Sequence, residues 1–309
     1  MQQRPSPLRL GTRVFSTAAP AVMAIINRTP DSFYAPGRFT ELDDALAALD
    51  RCIDQGADIV DVGGVRAGQD GPWVGEAEEI TRVRPFLAAA RQRHPGTLFS
   101  LDTWRAGVAR ACAGLIDLVN DTWAGADPQL LHVAAEQHVG YVVSHTGGLA
   151  PRTDPVGVHY GDDSDAAVVQ AVRTGLLDGA ARALAAGLSP DQIVLDATLD
   201  FGKTTAHSLA LVRHTDELAG LGHPLMMAIS RKDFVGETLD LPVDQRLEGS
   251  LAATAVAAWQ GAILFRAHDV QATRRVVGVD PWGPSARPGG ARRLIAARKN
   301  LGFVPPRLE

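Results

Sequence analysis

Two kinds of segment alternate along this chain, and that alternation limits its possible folds more than any other feature. Eight short apolar, β-branched runs are nearly continuous in hydrophobicity, as is typical of strands buried on both faces; they span residues 21–27, 58–64, 98–102, 116–121, 140–145, 192–197, 224–230 and 262–269. Each run is followed by a segment with helical periodicity, at residues 41–55, 76–93, 105–114, 127–138, 165–187, 205–220, 246–259 and 270–277. In the first of these, Leu42, Leu46, Leu49 and Ile53 form a single apolar stripe.

Eight strand–helix units in series predict an α/β fold, specifically a (β/α)8 TIM barrel. An open doubly wound sheet is the alternative, but it usually has fewer strands and a glycine-rich loop after the first one, where this chain reads NRTPDSF at 27–33. We therefore predict three parts. Residues 1–20 form an N-terminal segment whose hairpin, within 6–19, closes the bottom of the barrel; residues 21–280 form the barrel; residues 281–309 form a loosely ordered tail rich in proline, glycine and arginine.

Composition narrows the class of partner. The chain has 309 residues, of which 46% are hydrophobic and 21% charged, with a formal charge of −5. This balance provides no positive field for nucleic acid or an anionic membrane, so it favours a small-molecule protein. No apolar run approaches the roughly 18 residues of a membrane span, and the N-terminus lacks the apolar stretch of a signal peptide. We expect a cytoplasmic protein in which Cys52 and Cys112 are buried, unpaired thiols.

Polar residues cluster where the predicted strands end. In a TIM barrel these ends meet on one face, and the chemistry of the fold takes place there. Each such residue alone is explained as well by a helix cap or a buried hydrogen bond, but burying all of them unpaired would cost several kcal/mol each. The set therefore predicts a polar cup, made of Asn27, Asp61, Asp102, Asn120, Asp121, His145, Asp196, Ser230, Arg231, Lys232, Arg266, His268 and Asp269.

The cup has two chemical halves. Asp102, Asn120 and Asp196 offer carboxylates and an amide, which suit the amino-amidine edge of a flat heterocycle. A second group, which offers donors and positive charge suited to a phosphate or pyrophosphate, consists of Asn27, Lys232, Arg266 and His268. A ligand with a guanine-like ring at one end and a pyrophosphate at the other would fit both halves.

These residues lie in strings that resemble the dihydropteroate synthase family. NRTPDSF follows the first predicted strand, and the further strings occur in the family's order from about residue 6 to residue 280: GADIVDVGG, SLDT, LVND, DFGKT, SRKDFVG, GSLAATA and FRAHDV. One such string would be weak evidence, whereas six or more in order make chance agreement negligible. The resemblance implies a pterin-binding type of TIM barrel.

The resemblance also implies a reaction and a set of roles. In that family a hydroxymethyl-dihydropterin pyrophosphate loses pyrophosphate, and p-aminobenzoate attacks the pterin methylene carbon. The pterin ring would then be held by Asp102, Asn120, Asp196 and Lys232. The pyrophosphate would lie against Asn27, Arg266 and His268, with Mg²⁺ at Asn27, and the catalytic group would be Lys232, Arg266 and His268. The family is usually dimeric, and the alanine-rich segment 246–259 would suit a homodimer contact or close packing on the barrel.

Several positions depart from the family pattern, and they concentrate in the loops. GGVRAGQDG stands where the family usually has GGESTRPG, so Val65–Gln69 replace its Glu-Ser-Thr-Arg-Pro, with Arg66 two positions before the lost arginine. Ala35 replaces an aspartate of the first loop. Thr198 and Asp200 replace glycines after the sixth strand, where the backbone passes close to the ligand.

Two further departures follow the fifth and seventh strands. Thr146 stands where a methionine commonly packs on the pterin. Asp233 stands near the expected p-aminobenzoate carboxylate, which it would repel, unless it serves as a helix cap.

The residues expected to bind pterin and phosphate are thus retained, and the loops expected to bind the second substrate are altered. The sequence predicts a dihydropteroate synthase homologue of the folate pathway that is weak or inactive as a synthase, a diverged paralogue with an altered function or a non-enzymatic binding or regulatory role. A working synthase is the main alternative, and a pterin-barrel methyltransferase is the third. The third reading is disfavoured because that class does not normally need the phosphate residues of SRK and RAHDV.

Overall fold

The computed structural model describes residues 6–29, 41–66, 72–153 and 158–279. The predicted tail at 281–309, Ala35 and residues 67–69 lie outside these ranges. Within them, an antiparallel hairpin precedes eight parallel strands that close into a barrel, which confirms the predicted TIM barrel. The hairpin strands are β1 (Leu8–Leu10) and β2 (Arg13–Phe15); the barrel strands are β3 (Ala21–Asn27), β4 (Ile59–Gly63), β5 (Leu98–Asp102), β6 (Leu118–Asp121), β7 (Gly140–Ser144), β8 (Ile193–Asp196), β9 (Leu225–Met227) and β10 (Leu264–Ala267).

Helices surround the barrel and follow the predicted segments with two differences. The segment 205–220 is divided at His214, and a short helix at 233–239 was not predicted, because seven residues containing Gly236 give little periodic signal. None of the described helices has the length and hydrophobicity needed to span a bilayer. The helices are α1 (Leu42–Asp54), α2 (Glu76–Arg93), α3 (Ala106–Ala111), α4 (Pro128–Glu136), α5 (Asp165–Ala185), α6 (Thr205–Arg213), α7 (Thr215–Ala219), α8 (Asp233–Leu239), α9 (Leu247–Trp259) and α10 (Val270–Val277).

The hairpin closes the bottom of the barrel, as the sequence predicts. Leu8, Leu10 and Phe15 are buried in one cluster with the first inward-facing residues of the strands, among them Met23 and Leu118. A separate apolar layer lies between the strands and the helices. Because the bottom is filled with apolar side chains, only the opposite end of the barrel interior is left for polar groups.

We expect the hairpin to contribute stability without contributing to ligand binding. Leu10→Ala should lower the free energy of unfolding by about 2–5 kcal/mol, because it leaves a cavity where a fully enclosed side chain packs. Urea denaturation measures this loss. Arg9→Ala is the matched control, since Arg9 points outward on the same strand to an exposed ion pair with Asp191, and its loss should cost less than about 1 kcal/mol. Equal losses for the two variants would contradict the closing role.

Candidate active site

A cavity of about 270 Å³ opens at the carboxyl ends of the barrel strands. Every residue predicted to bind or act on the ligand lines it: Asn27, Asp102, Asn120, Asp196, Lys232, Arg266 and His268. The two predicted chemical halves are therefore walls of one space. Further lining comes from residues that the sequence did not single out for a role, namely Thr29, Thr122, Thr153, Phe201 and Ala228.

Strand register places one row of these residues at the same level of the barrel. Asn27 pairs with Gly63, Gly63 with Asp102, and Asp102 with Asn120 across four neighbouring strands. A β-carbon at Gly63 would stand 3.4 Å from Oδ1 of Asn27 and 3.6 Å from Cβ of Asp102. Glycine at this position therefore leaves room for the polar groups on either side of it.

Arg266 joins three strands through two carboxylates. Its Nε donates to Oδ2 of Asp61 at 2.6 Å, and its Nη2 donates to Oδ2 of Asp102 at 2.8 Å. Asp61 is 0% exposed and also accepts a 3.0 Å hydrogen bond from Nδ2 of Asn120. Arg266 thus connects the two predicted chemical halves, and among the described residues its Nη1 makes no hydrogen bond.

Burial changes the protonation of the acids in the cavity. It raises the pKa of Asp102 to about 7, against the opposing influence of the Arg266 guanidinium. Burial also raises the pKa of Asp196, which accepts a 2.9 Å hydrogen bond from the backbone N–H of Thr198. Enclosure in the cavity therefore favours the protonated form of both carboxyls.

The cations respond to the same enclosure. Burial lowers the pKa of Lys232, which donates to the carbonyl of Leu199 and lies 4.8 Å above the centre of the Phe201 ring. His268 was predicted to bring positive charge. Burial, with Arg266 nearby, lowers its pKa to about 3, so its imidazole is neutral here and offers a hydrogen bond instead.

Five residues of the predicted polar cup do not line the cavity, and one of them is Asp61, which accepts from Arg266. Successive residues of a strand point to opposite sides, so Asp121 faces outward next to inward-facing Asn120 and accepts from the Tyr141 hydroxyl. Arg231 and Asp269 form an ion pair with each other at 2.8 Å. His145 packs against Tyr160, and among the described residues its Nδ1 has no hydrogen-bond partner.

The family model for pterin binding enzymes matches residues 23–268. This chain belongs to that family. The inactive dihydropteroate synthase 2 of Mycobacterium leprae is 51% identical over 83% of this chain and 88% of its own length. The dihydropteroate synthase of Haemophilus influenzae is 34% identical over 90% of this chain and 98% of its own. The structure of a Coxiella burnetii dihydropteroate synthase in complex with pteroic acid has a TM-score of 0.77 at 31% identity, covering 88% and 96% of the two chains. The protein is thus a dihydropteroate synthase homologue.

The loop after β8 contains two of the departures from the family pattern, and both lie in strained backbone. Thr198 and Asp200 have φ angles of 53° and 69°, in the left-handed region where glycine costs least. The Thr198 hydroxyl donates to the carbonyl of Asp196 and accepts from the N–H of His145. These bonds hold in place a conformation that a β-branched residue adopts only at a cost of about 1–3 kcal/mol.

Asp200 ties the same loop to α8. Its carboxylate accepts from the backbone N–H groups of Asp233 and Phe234 at 2.7 and 3.3 Å. The capping role that we considered for Asp233 therefore belongs to Asp200, supplied from another loop. Asp233 is instead the first helical residue, and its carboxylate pairs with Nη1 of Arg246 at 2.7 Å.

Lys203 anchors the same loop by hydrogen bonds. The sequence pattern assigns it no role beyond its place in the DFGK string. Its ammonium donates to the carbonyls of His145, Phe201 and Thr198 at 2.6, 2.9 and 3.2 Å. Burial lowers its pKa to about 7. Asp61 was likewise noted only as a strand-end acid, and its single charge between Val60 and Val62 was the available signal.

The oxygen atoms near Asn27 provide only part of a Mg²⁺ site. The described residues contain no group of three acidic, histidine or cysteine side chains arranged to hold a metal. Asn27 offers one amide oxygen, and the buried hydroxyl of Thr29 has no hydrogen-bond partner in the described chain. Since Mg²⁺ takes oxygen ligands and often only one or two from protein, these residues fit an ion bound mostly by the pyrophosphate.

The raised pKa of Asp102 predicts a stability that falls with pH. The unfolded chain releases this proton near pH 4 and the folded chain near pH 7, so the unfolding free energy should decrease across that window. Asp102→Asn cannot titrate, and its unfolding free energy should decrease less between these pH values. Urea denaturation at a series of pH values measures the difference. Asp178→Asn, on exposed α5 surface, is the control, and parallel curves for Asp102→Asn and the wild type would show that Asp102 is ionised throughout.

Proposed function

We propose that this protein binds a dihydropterin pyrophosphate in the barrel cavity and makes dihydropteroate weakly or not at all. The observation that carries the proposal is an asymmetry within one cavity. The residues of both ligand halves converge there, whereas the adjoining loop after β8 holds Thr198 and Asp200 in left-handed backbone and is tied to α8.

The pterin half would recognise the ring by its N–H donors. Asp196 keeps one carboxylate oxygen that accepts no hydrogen bond from the described residues, and Asn120 keeps its amide oxygen. Asp102 accepts from Thr122 and Arg266, one bond on each oxygen, so each oxygen retains a lone pair. These acceptors match the amino-amidine edge of a pterin.

The phosphate half would hold the leaving group. Lys232 supplies a positive charge, Arg266 supplies Nη1, and His268 and Asn27 supply hydrogen bonds. A bound Mg²⁺ would neutralise charge that develops on the departing pyrophosphate. Lys232 and Arg266 act in the same sense, as fixed cations that need no reorganisation when the bond to pyrophosphate breaks.

The second substrate meets less favourable chemistry. Asp200 and Asp233 both line the cavity, and they would repel the carboxylate of p-aminobenzoate. Each loss of about 1.4 kcal/mol in positioning slows a reaction about tenfold. That the Mycobacterium leprae relative at 51% identity is named inactive supports the same conclusion.

A working synthase is the second candidate, and one observation favours it. Arg66 lines the cavity although it lies two positions before the arginine that it would replace, so a cation is still present at the rim. The ion pair between Asp233 and Arg246 also reduces the repulsion from Asp233.

Calorimetry and a product assay on one sample distinguish these candidates. Titration with dihydropterin pyrophosphate and Mg²⁺ should show binding, and p-aminobenzoate added afterwards should yield dihydropteroate at least about 100-fold more slowly than with a working synthase. Lys232→Ala should weaken binding of the pterin pyrophosphate by about 2–3 kcal/mol, because it deletes a charge-assisted contact. Its melting temperature should change little, since the cost of burying the ammonium offsets its ionic contacts.

Arg110→Ala removes an exposed cation of α3 outside the cavity and should leave binding unchanged. Turnover comparable with a working synthase would overturn the inactivity and leave the binding site standing. Absence of pterin binding would overturn the proposal as a whole. A large loss of stability in Lys232→Ala with unchanged binding would assign that residue to the scaffold.

We further propose that the protein is a cytoplasmic homodimer. Both cysteines are free, as expected in a reducing compartment; Cys112 is buried, whereas Cys52, which we predicted to be buried, is only partly buried against the core. Helix α9 uses Ser250, Thr254 and Ala257 to pack inward. Its outer face carries Val256 and Trp259, which are 44% and 56% exposed. An apolar stripe on a surface helix is typical of a contact between subunits.

Light scattering coupled to size exclusion tests the homodimer. The wild type should elute as a dimer, and Trp259→Glu should shift it to the monomer, because it places a charge in an apolar interface. Leu177→Glu changes a leucine on α5 that is 43% exposed and should leave the dimer intact. A monomeric wild type, or a Trp259→Glu variant that stays dimeric, would contradict this interface.

A further inference from the structure

A second cavity, of about 290 Å³, lies outside the barrel between α4 and α5. We call it the outer cleft. Its floor is formed by Tyr141 and Val143 of β7, with Asp121 at the end of β6. Leu131 and His132 of α4 form one wall; the other wall, from α5, is Gly179, Arg182, Ala185 and Ala186. No residue assigned to the pterin cavity lines it.

Small residues line one wall of this cleft. A β-carbon on Gly179 would overlap Cγ1 of Val143, so α5 lies directly on β7 at this point. Further along the same wall Ala185 and Ala186 present only methyl groups. Protein interiors are close-packed with few voids larger than a water molecule. A space of about 290 Å³ is larger than such voids, and on this wall it is bounded by backbone and small side chains.

The acids at the cleft have their acceptors occupied. Oδ1 of Asp121 accepts from the N–H of Trp123 at 3.0 Å, and its Oδ2 accepts from the N–H of Gly125 and the Tyr141 hydroxyl at 2.7 and 2.5 Å. Asp127 accepts from the N–H groups of Ala106 and Gln129. Both carboxylates thus hold the backbone together and offer little to a cationic ligand.

The base at the mouth is placed differently. Nη2 of Arg182, an exposed residue, lies 3.7 Å from the position of a β-carbon on Gly179, so the guanidinium lies beside this wall of the cleft. In the part of the chain that the structure describes, this guanidinium makes no ion pair or hydrogen bond. The cleft therefore combines a mostly apolar interior with a cation at its mouth that has donors to give.

We propose that the outer cleft binds a small molecule with a flat apolar body and one carboxylate. The body would lie on Val143 and against Leu131, and the carboxylate would accept from Arg182. A cavity of 150 Å³ is known to hold benzene, so about 290 Å³ corresponds to roughly 12 non-hydrogen atoms. A helical peptide, about 10–12 Å across, would not enter a space of this size.

The position of the cleft gives its occupant access to the loop that it shares with the barrel cavity. Thr122 donates to Oδ1 of Asp102 inside the barrel at 3.1 Å, while Ala124 and Gly125 line the outer cleft. Trp123, between them, packs edge-on against Phe201 with ring centres 5.4 Å apart. Because the two cavities are so close, the test has to assign a bound molecule to one of them.

Titration with 2-naphthoate, followed by calorimetry or protein NMR, tests the site. This probe has the expected size and charge, and we expect a dissociation constant on the order of 0.1–1 mM. Ala185→Phe fills the cleft from an exposed helix position and should weaken binding at least about tenfold. Ala181→Phe makes the same change one helical turn away, outside the lining, and should have no effect.

Arg182 decides the chemical class of ligand. Arg182→Gln should weaken 2-naphthoate binding about tenfold and leave binding of the uncharged analogue 2-naphthamide unchanged. Lys232→Ala should not affect the probe, which separates this site from the barrel cavity. Absence of binding, or binding that survives Ala185→Phe, would overturn the proposal. Equal affinity for acid and amide in the wild type would overturn the carboxylate assignment.

Discussion

The ion-paired arginine between Asp61 and Asp102 is the interaction on which the candidate site depends. Arg266 comes from the last barrel strand, and its two partners come from β4 and β5, 205 and 164 residues earlier. Isolated buried charges are very costly, whereas a paired and hydrogen-bonded set is tolerated. Closing the barrel and building the ligand cavity are therefore one event, because the arginine reaches its carboxylates only when β10 has joined β3.

The loop after β8 depends on a second buried cation. Lys203 donates hydrogen bonds to three carbonyls. The hydroxyl of Thr198 and the carboxylate of Asp200 add hydrogen bonds to the ends of β7 and β8 and to α8. A glycine-containing loop changes conformation at little cost, whereas side chains in left-handed backbone persist because their surroundings hold them. These contacts hold the loop in one arrangement, and we expect them to restrict its movement around a second substrate.

Much of the cavity follows from sequence because the rule behind it is simple. Parallel strands end on one face, so Asn27, Asp102, Asn120 and Asp196 meet there whatever their distance along the chain. The rule does not apply to Asp121, which follows Asn120, because successive strand residues point to opposite sides and Asp121 faces outward. It also cannot show that Arg231 and Asp269 pair with each other, or that Asp200 rather than Asp233 caps α8, because those contacts are made between loops whose course no periodicity describes.

The charge of the cavity explains how retained binding residues and the proposed loss of synthase activity can coexist. Asp102, Asp196 and Asp200 line the cavity together with Lys232 and Arg266, while His268 is neutral. Burial raises the pKa of all three carboxyls, and this reduces their tendency to oppose a bound pyrophosphate with negative charge. The carboxylate of p-aminobenzoate would in addition meet Asp233, which lines the cavity and is 76% exposed, so it is not enclosed in the same way. The positions of the charges, and not their number, therefore favour the pterin pyrophosphate over p-aminobenzoate.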